Sequence, residues 1–453
     1  MKSILLLLFI APFSLLASTI TPPDSTTAIV DKAKAIFYLD KGKTFYSQGQ
    51  VRKAYKEFKD AHLIDPNNSS VLYYKALCLY DLGNYGNALK DAMSAYQMDS
   101  AKIENEVYFL IGESFHRLSN YDSAVYFLKL AKQKINKNHA KDLMIDMKIA
   151  QVEFSKEEAN KGHVSKLKKV EGFNLNTGYQ DYNPILNQTG DTMYFTSKRP
   201  DTKGGGMNPD DLEYFEDIYM VVNYGGKWDS VTNDLGRLNT EGFDAFTYLS
   251  EDGKYGLMTI NTEAMESPNP KTKGSDLFEI KMSNKGKWST PRKISNKTIN
   301  TSYFEGSATI TADGNTMYFV SDRKGDESST DIYVVSKNGK VWGEAKPLPK
   351  TINTIGRETT PFISPDGRWL FFSSDGLLGM GGYDIFVVEN LGDAWGEPVN
   401  LGATINTVNN DTHFRYYEQL KKAFMTNVQI SGNVSSADIF EVDMEGFQYP
   451  TKK

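Results

Sequence analysis

Sulfur chemistry is nearly missing. Cys78 is the one cysteine in 453 residues, which excludes an intrachain disulfide framework and a cysteine-rich zinc site. Histidine is scarce as well. His62, His116, His139, His163 and His413 fall in no metal-binding spacing such as H-E-x-x-H. Neither sign of charge dominates: 51 Lys and Arg against 57 Asp and Glu leave a net charge of −6, so no broad basic surface for nucleic acid is expected. There is no G-x-S-x-G elbow and no G-x-x-x-x-G-K-[ST] loop, which leaves serine-hydrolase and P-loop chemistry without a motif. These absences predict no catalytic residue, no cofactor and no metal. What the chain has in quantity is core material: 40% hydrophobic residues, with 25 Phe and 26 Tyr, and length for two or three domains.

The amino terminus reads as a processing signal. Met1-Lys2 precedes an apolar run from Ile4 to Leu16, and Leu16-Ala17-Ser18 supplies the small residues of a cleavage site. Residues 1–18 are therefore expected to be a secretory signal peptide, with an uncleaved anchor as the rival reading. No later run reaches membrane-spanning length, so no direct membrane span is expected after cleavage. Residues 19–30 read as a tether, and 19–34 as tether plus the start of a first helix.

Two internal periods decide the architecture. The first is about 34 residues long. Counting from Ala35, Gly42, Ala54 and Ala61 take positions 8, 20 and 27; counting from Ser69, Ala76, Ala88 and Ala95 do so; counting from Asn105, Gly112, Ala124 and Ala131 do so. Phe45, Leu79 and Phe115 fill position 11, and Phe58, Ala92 and Leu128 position 24. Small residues at the first set let paired helices approach, and larger ones fill the space between. A further helix over about 139–159 is expected to cap the stack.

The second period, about 53 to 63 residues, fills the rest. An acidic residue opens a strand at Asp217-Ile218-Tyr219, Asp276-Leu277-Phe278, Asp331-Ile332-Tyr333, Asp384-Ile385-Phe386 and Asp438-Ile439-Phe440. Asn-Thr recurs at 176–177, 239–240, 300–301, 353–354 and 406–407, and tryptophans recur at 228, 288, 342 and 395. Each period holds several short strands, one four-stranded sheet that buries both faces only between neighbouring copies. Five markers predict five blades. The last copy lacks its tryptophan segment, while Leu167-Lys168-Lys169-Val170 precedes the first copy, so the amino-terminal strand should complete the final blade and close the ring. The expected fold is a multidomain α plus all-β chain: helical repeats and cap over 35–160, a five-bladed propeller over 161–446, and a tail over 447–453.

The repeats carry resemblances. The helical period resembles the tetratricopeptide repeat. The run Ile363-Ser364-Pro365-Asp366-Gly367-Arg368-Trp369-Leu370-Phe371-Phe372, continuing to Gly381-Gly382-Tyr383-Asp384-Ile385-Phe386, resembles the WD40-like propeller repeat of TolB-type proteins. The combination, over residues 35–444, is similar to exported Bacteroidetes proteins that join the two, among them the PorE-like components of type IX secretion and gliding machinery. Some of those carry an OmpA-like peptidoglycan-binding domain. This chain shows none before Lys453 and no lipoprotein cysteine after its apolar run, so attachment is expected to go through partner proteins.

The resemblance implies an exported, non-enzymatic scaffold in the periplasm or on the periplasmic face of the outer membrane, with protein partners there. The alternatives are a propeller hydrolase acting on glycan or peptide and a carbohydrate-binding accessory subunit. By analogy with tetratricopeptide grooves, Leu39, Lys43, Tyr46, Tyr73, Leu77, Tyr80, Phe109, Glu113, His116 and Arg117 would line the partner-binding surface. Burial of several of them in the core is the competing reading. The five strand-opening acids recur too regularly for catalysis and read as turn or inter-strand hydrogen-bond residues. Asp210, Asp211, Glu213 and Glu216, in the long insert 201–217, are weighed as calcium ligands against a solvated acidic loop. Arg199, Arg237, Arg323, Arg357 and Arg415, about one per blade, either line a funnel for an anion or serve turns. Asp-Ser pairs at 24–25, 99–100, 122–123 and 229–230 resemble Bacteroidetes O-glycosylation acceptors.

Overall fold

A computed structural model of the protein describes residues 25–98, 103–204, 206–209, 211–261, 274–323, 329–431 and 434–450. The signal peptide, the Asp24 and Asp99 acceptor motifs and Asp210 lie outside the described residues.

Six helices form three antiparallel pairs: α1 (Ser25–Ser47) with α2 (Val51–Ile64), α3 (Ser69–Asp81) with α4 (Tyr85–Met98), and α5 (Glu106–Arg117) with α6 (Tyr121–Lys134). The small residues of the first period sit where the pairs cross. Ala54, Ala61, Ala76, Ala88, Ala95, Ala124 and Ala131 are fully buried. A Cβ on Gly112 would stand 2.7 Å from Leu128 Cγ, so the close approach of α5 and α6 depends on that glycine. Asparagine caps start the later helices: the Asn68, Asn120 and Asn136 side chains accept from Val71, Ser123 and His139 N–H.

Two boundaries differ from expectation. Residues 25–30 are already helical, because α1 runs ten residues ahead of the repeat's first position. The single helix expected over about 139–159 is two, α7 (Lys137–Asp142) and α8 (Ile145–Asn160), separated where Met144 takes a left-handed φ of 52°. The break lets α8 pack Ile149 and Val152 against Ala124 and Leu128.

The remaining chain is a five-bladed propeller. From the axis outward the blades are β2 (Asp181–Leu186), β3 (Thr192–Ser197), β4 (Asp217–Tyr224), β5 (Lys227–Thr232); β6 (Phe243–Leu249), β7 (Tyr255–Asn261), β8 (Asp276–Lys281), β9 (Arg292–Lys293); β10 (Glu305–Ile310), β11 (Thr316–Ser321), β12 (Asp331–Asn338), with β13 (Val341–Trp342) and β14 (Lys346–Pro347) both on β12; β15 (Glu358–Ile363), β16 (Trp369–Ser374), β17 (Asp384–Glu389), β18 (Val399–Asn400); and β19 (Asp411–Tyr417), β20 (Lys422–Ser431), β21 (Val434–Asp443). The last sheet is completed by β1 (Leu167–Lys169), antiparallel to β21, with Leu167 opposite Val442 and Lys169 opposite Phe440. The amino-terminal strand thus closes the ring as its sequence predicts, and Lys169 Nζ ties it further to Asp438 at 2.8 Å.

Hydrophobic clusters lie between blades. One joins Phe195 and Tyr219 to Phe424 and Ile439, the next joins Tyr194 and Ile218 to Phe246 and Met258, and the pattern continues round the ring. Second strands are accordingly buried on both sides, as over Trp369–Ser374. The described start of the tail packs on the propeller: Tyr449 stacks on Trp369 with ring centroids 4.7 Å apart.

The Asn-Thr marker is a polar clasp repeated in every blade. Asn176, Asn239, Asn300, Asn353 and Asn406 each accept from the backbone N–H of Ile439, Ile218, Leu277, Ile332 and Ile385, the residue after the strand-opening acid. Each also donates to that residue's carbonyl. The threonine beside it bonds a carboxylate that opens the next innermost strand: Asp181, Asp244, Glu305, Glu358 or Asp411. This second ring of acids escaped the sequence reading because it is Asp in three blades and Glu in two.

Candidate functional site at the solenoid and the propeller face

Each blade aligns the acid of its innermost strand with that of its third strand across one residue of the second: Asp181–Ser197–Asp217, Asp244–Ile260–Asp276, Glu305–Ser321–Asp331, Glu358–Ser374–Asp384 and Asp411–Asn427–Asp438. Both rings of acids therefore lie on one face. The strand-opening acids there hold loops: Asp217 accepts from Lys203 N–H and Thr202 Oγ1, and Asp384 from Met380 and Gly381 N–H. Burial pushes Asp384 up to about 7, and Asp411, buried beside it, up to about 8.

The helical stack rests on this face. Arg117, at the end of α5, donates from Nη1 to Val408 O at 2.6 Å and from Nε to Tyr80 Oη at 3.3 Å. A Cβ on Gly382 would stand 2.5 Å from Nη1, so the loop is glycine where the guanidinium arrives. Burial works against the charge of Arg117, and Tyr80, Tyr85 and Glu113 more than offset it. From α8, Gln151 Nε2 donates to Leu377 O at 2.9 Å and Asp375 O at 3.2 Å, and Ser155 Oγ donates to Met380 O. His116 Nε2 meets that hydroxyl at 3.1 Å; burial pushes the imidazole down to about 4 and keeps it neutral. Ser435 Oγ donates to Leu82 O at 2.9 Å, and Arg52 pairs with Glu213.

The ten groove residues divide accordingly. Leu39 and Tyr73 are buried in the helical core. Leu77 and Phe109 are half-buried against it. Glu113 and His116 are buried, and with Tyr80 and Arg117 they form the contact to the propeller. Lys43 and Tyr46 are half-exposed: Lys43 Nζ sits 4.5 Å from the Tyr74 ring centre, and Tyr46 Oη donates to Asp81 at 2.7 Å. Contacts across more than 200 residues gave the sequence no signal for this docking.

Of the acids weighed for calcium, the described ones are engaged otherwise: Asp211 accepts from Glu213 N–H at 2.9 Å. Glu213 accepts from Lys198 Nζ at 2.7 Å as well as pairing with Arg52, and Glu216 lies 3.5 Å from the same lysine. Among the described residues no group of three His, Cys, Asp or Glu is placed to hold a metal. The five arginines do not converge. Arg199 and Arg323 pair with Asp181 and Glu305 of their own blades, at 2.7 and 3.2 Å. Arg237 donates to Thr290, and Arg357 lies 3.8 Å from Asp375. Arg415 alone reaches across the axis. Of the Asp-Ser motifs, Asp122-Ser123 opens α6 and Asp229-Ser230 is exposed on β5.

A family model for subunit 3 of the anaphase-promoting complex, or cyclosome, matches residues 25–91. No curated protein matches the chain. Solved structures similar to it include the tetratricopeptide domain of Arabidopsis OM64, 17% identical over 27% of this chain and 96% of that one, with a TM-score of 0.25. Another is the Yersinia enterocolitica type III secretion chaperone SycD with a peptide of the translocator YopD, 21% identical over 29% and 97%, TM-score 0.24. A third is the TPR2B domain of yeast Sti1 in complex with pHsp70, 18% identical over 28% and 98%, TM-score 0.23. The chain is a stack of tetratricopeptide-type helical repeats followed by a five-bladed propeller.

Proposed function

We propose that the protein is a non-enzymatic adaptor that holds a protein partner on its helical repeats, with the propeller as the rigid mount. One observation carries this reading: α1 turns an apolar face to solvent. Ile29, Val30, Ile36 and Phe37 are 69%, 64%, 46% and 63% exposed, at spacings that place them along one side of the helix. Lys43 and Tyr46 continue the same helix into the groove. The propeller contacts hold the stack along its length, from Arg52 on α2 to Ser155 on α8, so this surface is presented without further ordering cost. The site of action we propose is the periplasm or the periplasmic face of the outer membrane, in an envelope assembly such as type IX secretion or gliding. The support is the signal-like start of the sequence and its resemblance to exported repeat-propeller proteins. Among the described residues no helix is long and apolar enough to cross a membrane.

The test is affinity capture from envelope extracts with tagged wild type, Ile36→Asp/Phe37→Asp and Lys43→Glu. A stoichiometric partner that the wild type retains and the α1 double variant loses, at unchanged melting temperature, is the expected result. Recovery of the chain alone, or capture indifferent to all three substitutions, overturns the proposal.

A further inference from the structure

The blades differ in the residue that follows the Asn-Thr clasp. It is Gly178, Glu241 and Ser302 in the first three, but Ile355 in the fourth and Val408 in the fifth. The fourth and fifth blades are those that receive α8 and α5. Val408 is half-buried there and takes Arg117 on its carbonyl. Ile355 is 57% exposed. Its loop is not free to fold it away. Gly356 N–H donates to Thr354 Oγ1 at 2.9 Å, and a Cβ on Gly376 would collide with that oxygen and with Gly356. Gln151 holds the Asp375 and Leu377 carbonyls on either side of Gly376.

Ile355 and Gly376 form the propeller side of a cavity of about 560 Å3 at the junction of the two parts. The helical side is Ala140 of α7, Met144 at the break, and Ile145 and Met147 of α8. No residue of α1, α3 or α5 lines it, so it lies outside the groove of the inner helices. Its walls are apolar and its rim is basic. Lys132, Lys137 and Lys141 line it with one acid, Asp146. Lys132 pairs with Asp146 at 2.5 Å; among the described residues Lys137 and Lys141 have no acidic partner.

Apolar pockets with a few polar groups, set between domains, are where ligands bind. Two methionines make this wall adaptable, because unbranched thioethers repack round different shapes. The lysines select the sign of the occupant. Lys137 and Lys141 stand one helical turn apart, with Cβ atoms about 6 Å from each other, which suits acids carried along a chain better than one compact anion. Their exposed ammonium groups contribute little per pair, so a buried apolar side chain must supply most of the affinity. We infer that this junction binds an acidic peptide segment of a partner protein, with one large apolar side chain on Met144, Met147 and Ile355 and flanking carboxylates at Lys137 and Lys141. Its walls come from both parts, so a bound peptide also strengthens their docking. The site lies at the other end of the stack from α1 and is independent of the surface proposed there.

Fluorescence anisotropy of the full chain with the labelled peptide Asp-Glu-Leu-Phe-Glu-Asp tests this. Saturable binding is expected, weakened about tenfold by Ile355→Asp and by Lys137→Glu/Lys141→Glu, and unchanged by Ile36→Asp/Phe37→Asp. The peptide Asp-Glu-Ser-Ser-Glu-Asp, of equal charge but without the anchor, should bind more weakly by about tenfold or more. No saturable binding by the wild type overturns the proposal, as does equal binding of the two peptides or indifference to both site variants. Loss of binding in the α1 variant overturns it too, since the peptide would then sit there. The substituted site residues are exposed, so the melting temperature should stay in place. Should a variant not fold, hydrogen exchange of the wild type decides: the peptide should protect the amides of α7 and of residues 354–356, and unchanged exchange there refutes the site.

Discussion

Replacing Arg117 by Ala should loosen the docking of the helical stack on the propeller, which Gln151, Ser155, Leu82 and Arg52 continue to hold in part. The guanidinium makes a charge-assisted bond of 2.6 Å to Val408 O and a second bond to Tyr80 Oη. The guanidinium is the donor in both, and bonds with one charged partner contribute about 1.5–3 kcal/mol each. The truncation also strips Glu113, buried at 5% exposure, of a cation that interacts with it, and leaves the Val408 carbonyl facing a cavity. Together these put the loss at about 3–4 kcal/mol, localised at one interface. For units of this size that is a fall on the order of 10 °C in the melting of the helical part. Calorimetry should therefore change from coupled unfolding in the wild type to two separated transitions, with the propeller transition in place. Small-angle scattering should report a larger radius of gyration. A single transition at the wild-type temperature, with unchanged scattering, would show that Arg117 does not hold the two parts together.

Two further outcomes follow from the acid rings and the clasps. Asp244, Glu358 and Asp384 are each pushed up to about 7, and Asp411 to about 8, chiefly by burial. A carboxyl with a raised pKa in the folded state holds its proton better there than in the unfolded chain, so its stabilising effect is lost as pH rises through the folded value. His116 and His413, pushed down to about 4 and 3, act in the opposite sense below their unfolded value of about 6.5. Above that value only the acids titrate, so propeller stability in denaturant should fall from about pH 6.5 to pH 8; a flat or rising profile contradicts the burial argument. Asn353→Leu removes one clasp and leaves the Ile332 N–H and the Leu348 carbonyl without their side-chain partner, while the Ile332 carbonyl keeps only Leu348 N–H at 2.9 Å. Destabilisation of about 2–4 kcal/mol is expected by chemical denaturation, and a loss under about 1 kcal/mol would mean the clasp is ornamental.

The propeller was legible because its structural residues repeat. Five strand-opening acids gave the blade number, and a missing outer strand at one end with a spare one at the other gave the closure that β1 and β21 make. The helical pairs were legible for the same reason: position 8 must be small where α1 meets α2, and Gly42, Ala76 and Gly112 fill it. What stayed hidden obeys no period. The α7–α8 break rests on one left-handed methionine, a residue with no propensity for that conformation. The docking of α5 and α8 joins Arg117 to Val408 and Gln151 to Leu377, pairs with no sequence relation to each other. The groove assignment treated the inner helices as equivalent, whereas the contact with the propeller makes the third unlike the first.

Departures from the repeat therefore separate structure from action in this chain. Asn353 and its four counterparts do one job five times, and a residue constrained five ways by the ring is poorly placed for a task performed once. Arg117 and Arg415 break their own periods. At the position of Arg117 the second repeat has Asp81, which bonds Tyr46 of the repeat before it. At the position of Arg415 the other aligned blades have Ile185, Thr309 and Phe362. Each arginine makes bonds that its counterparts' side chains cannot make. One cation helps to hold the helical stack against the propeller, beside Gln151, Ser155, Leu82 and Arg52. The other sits where five blades converge and bonds Asn183 of the first and Thr247 of the second. Repetition built both positions, and the single substitution within each repeat set gave them different work.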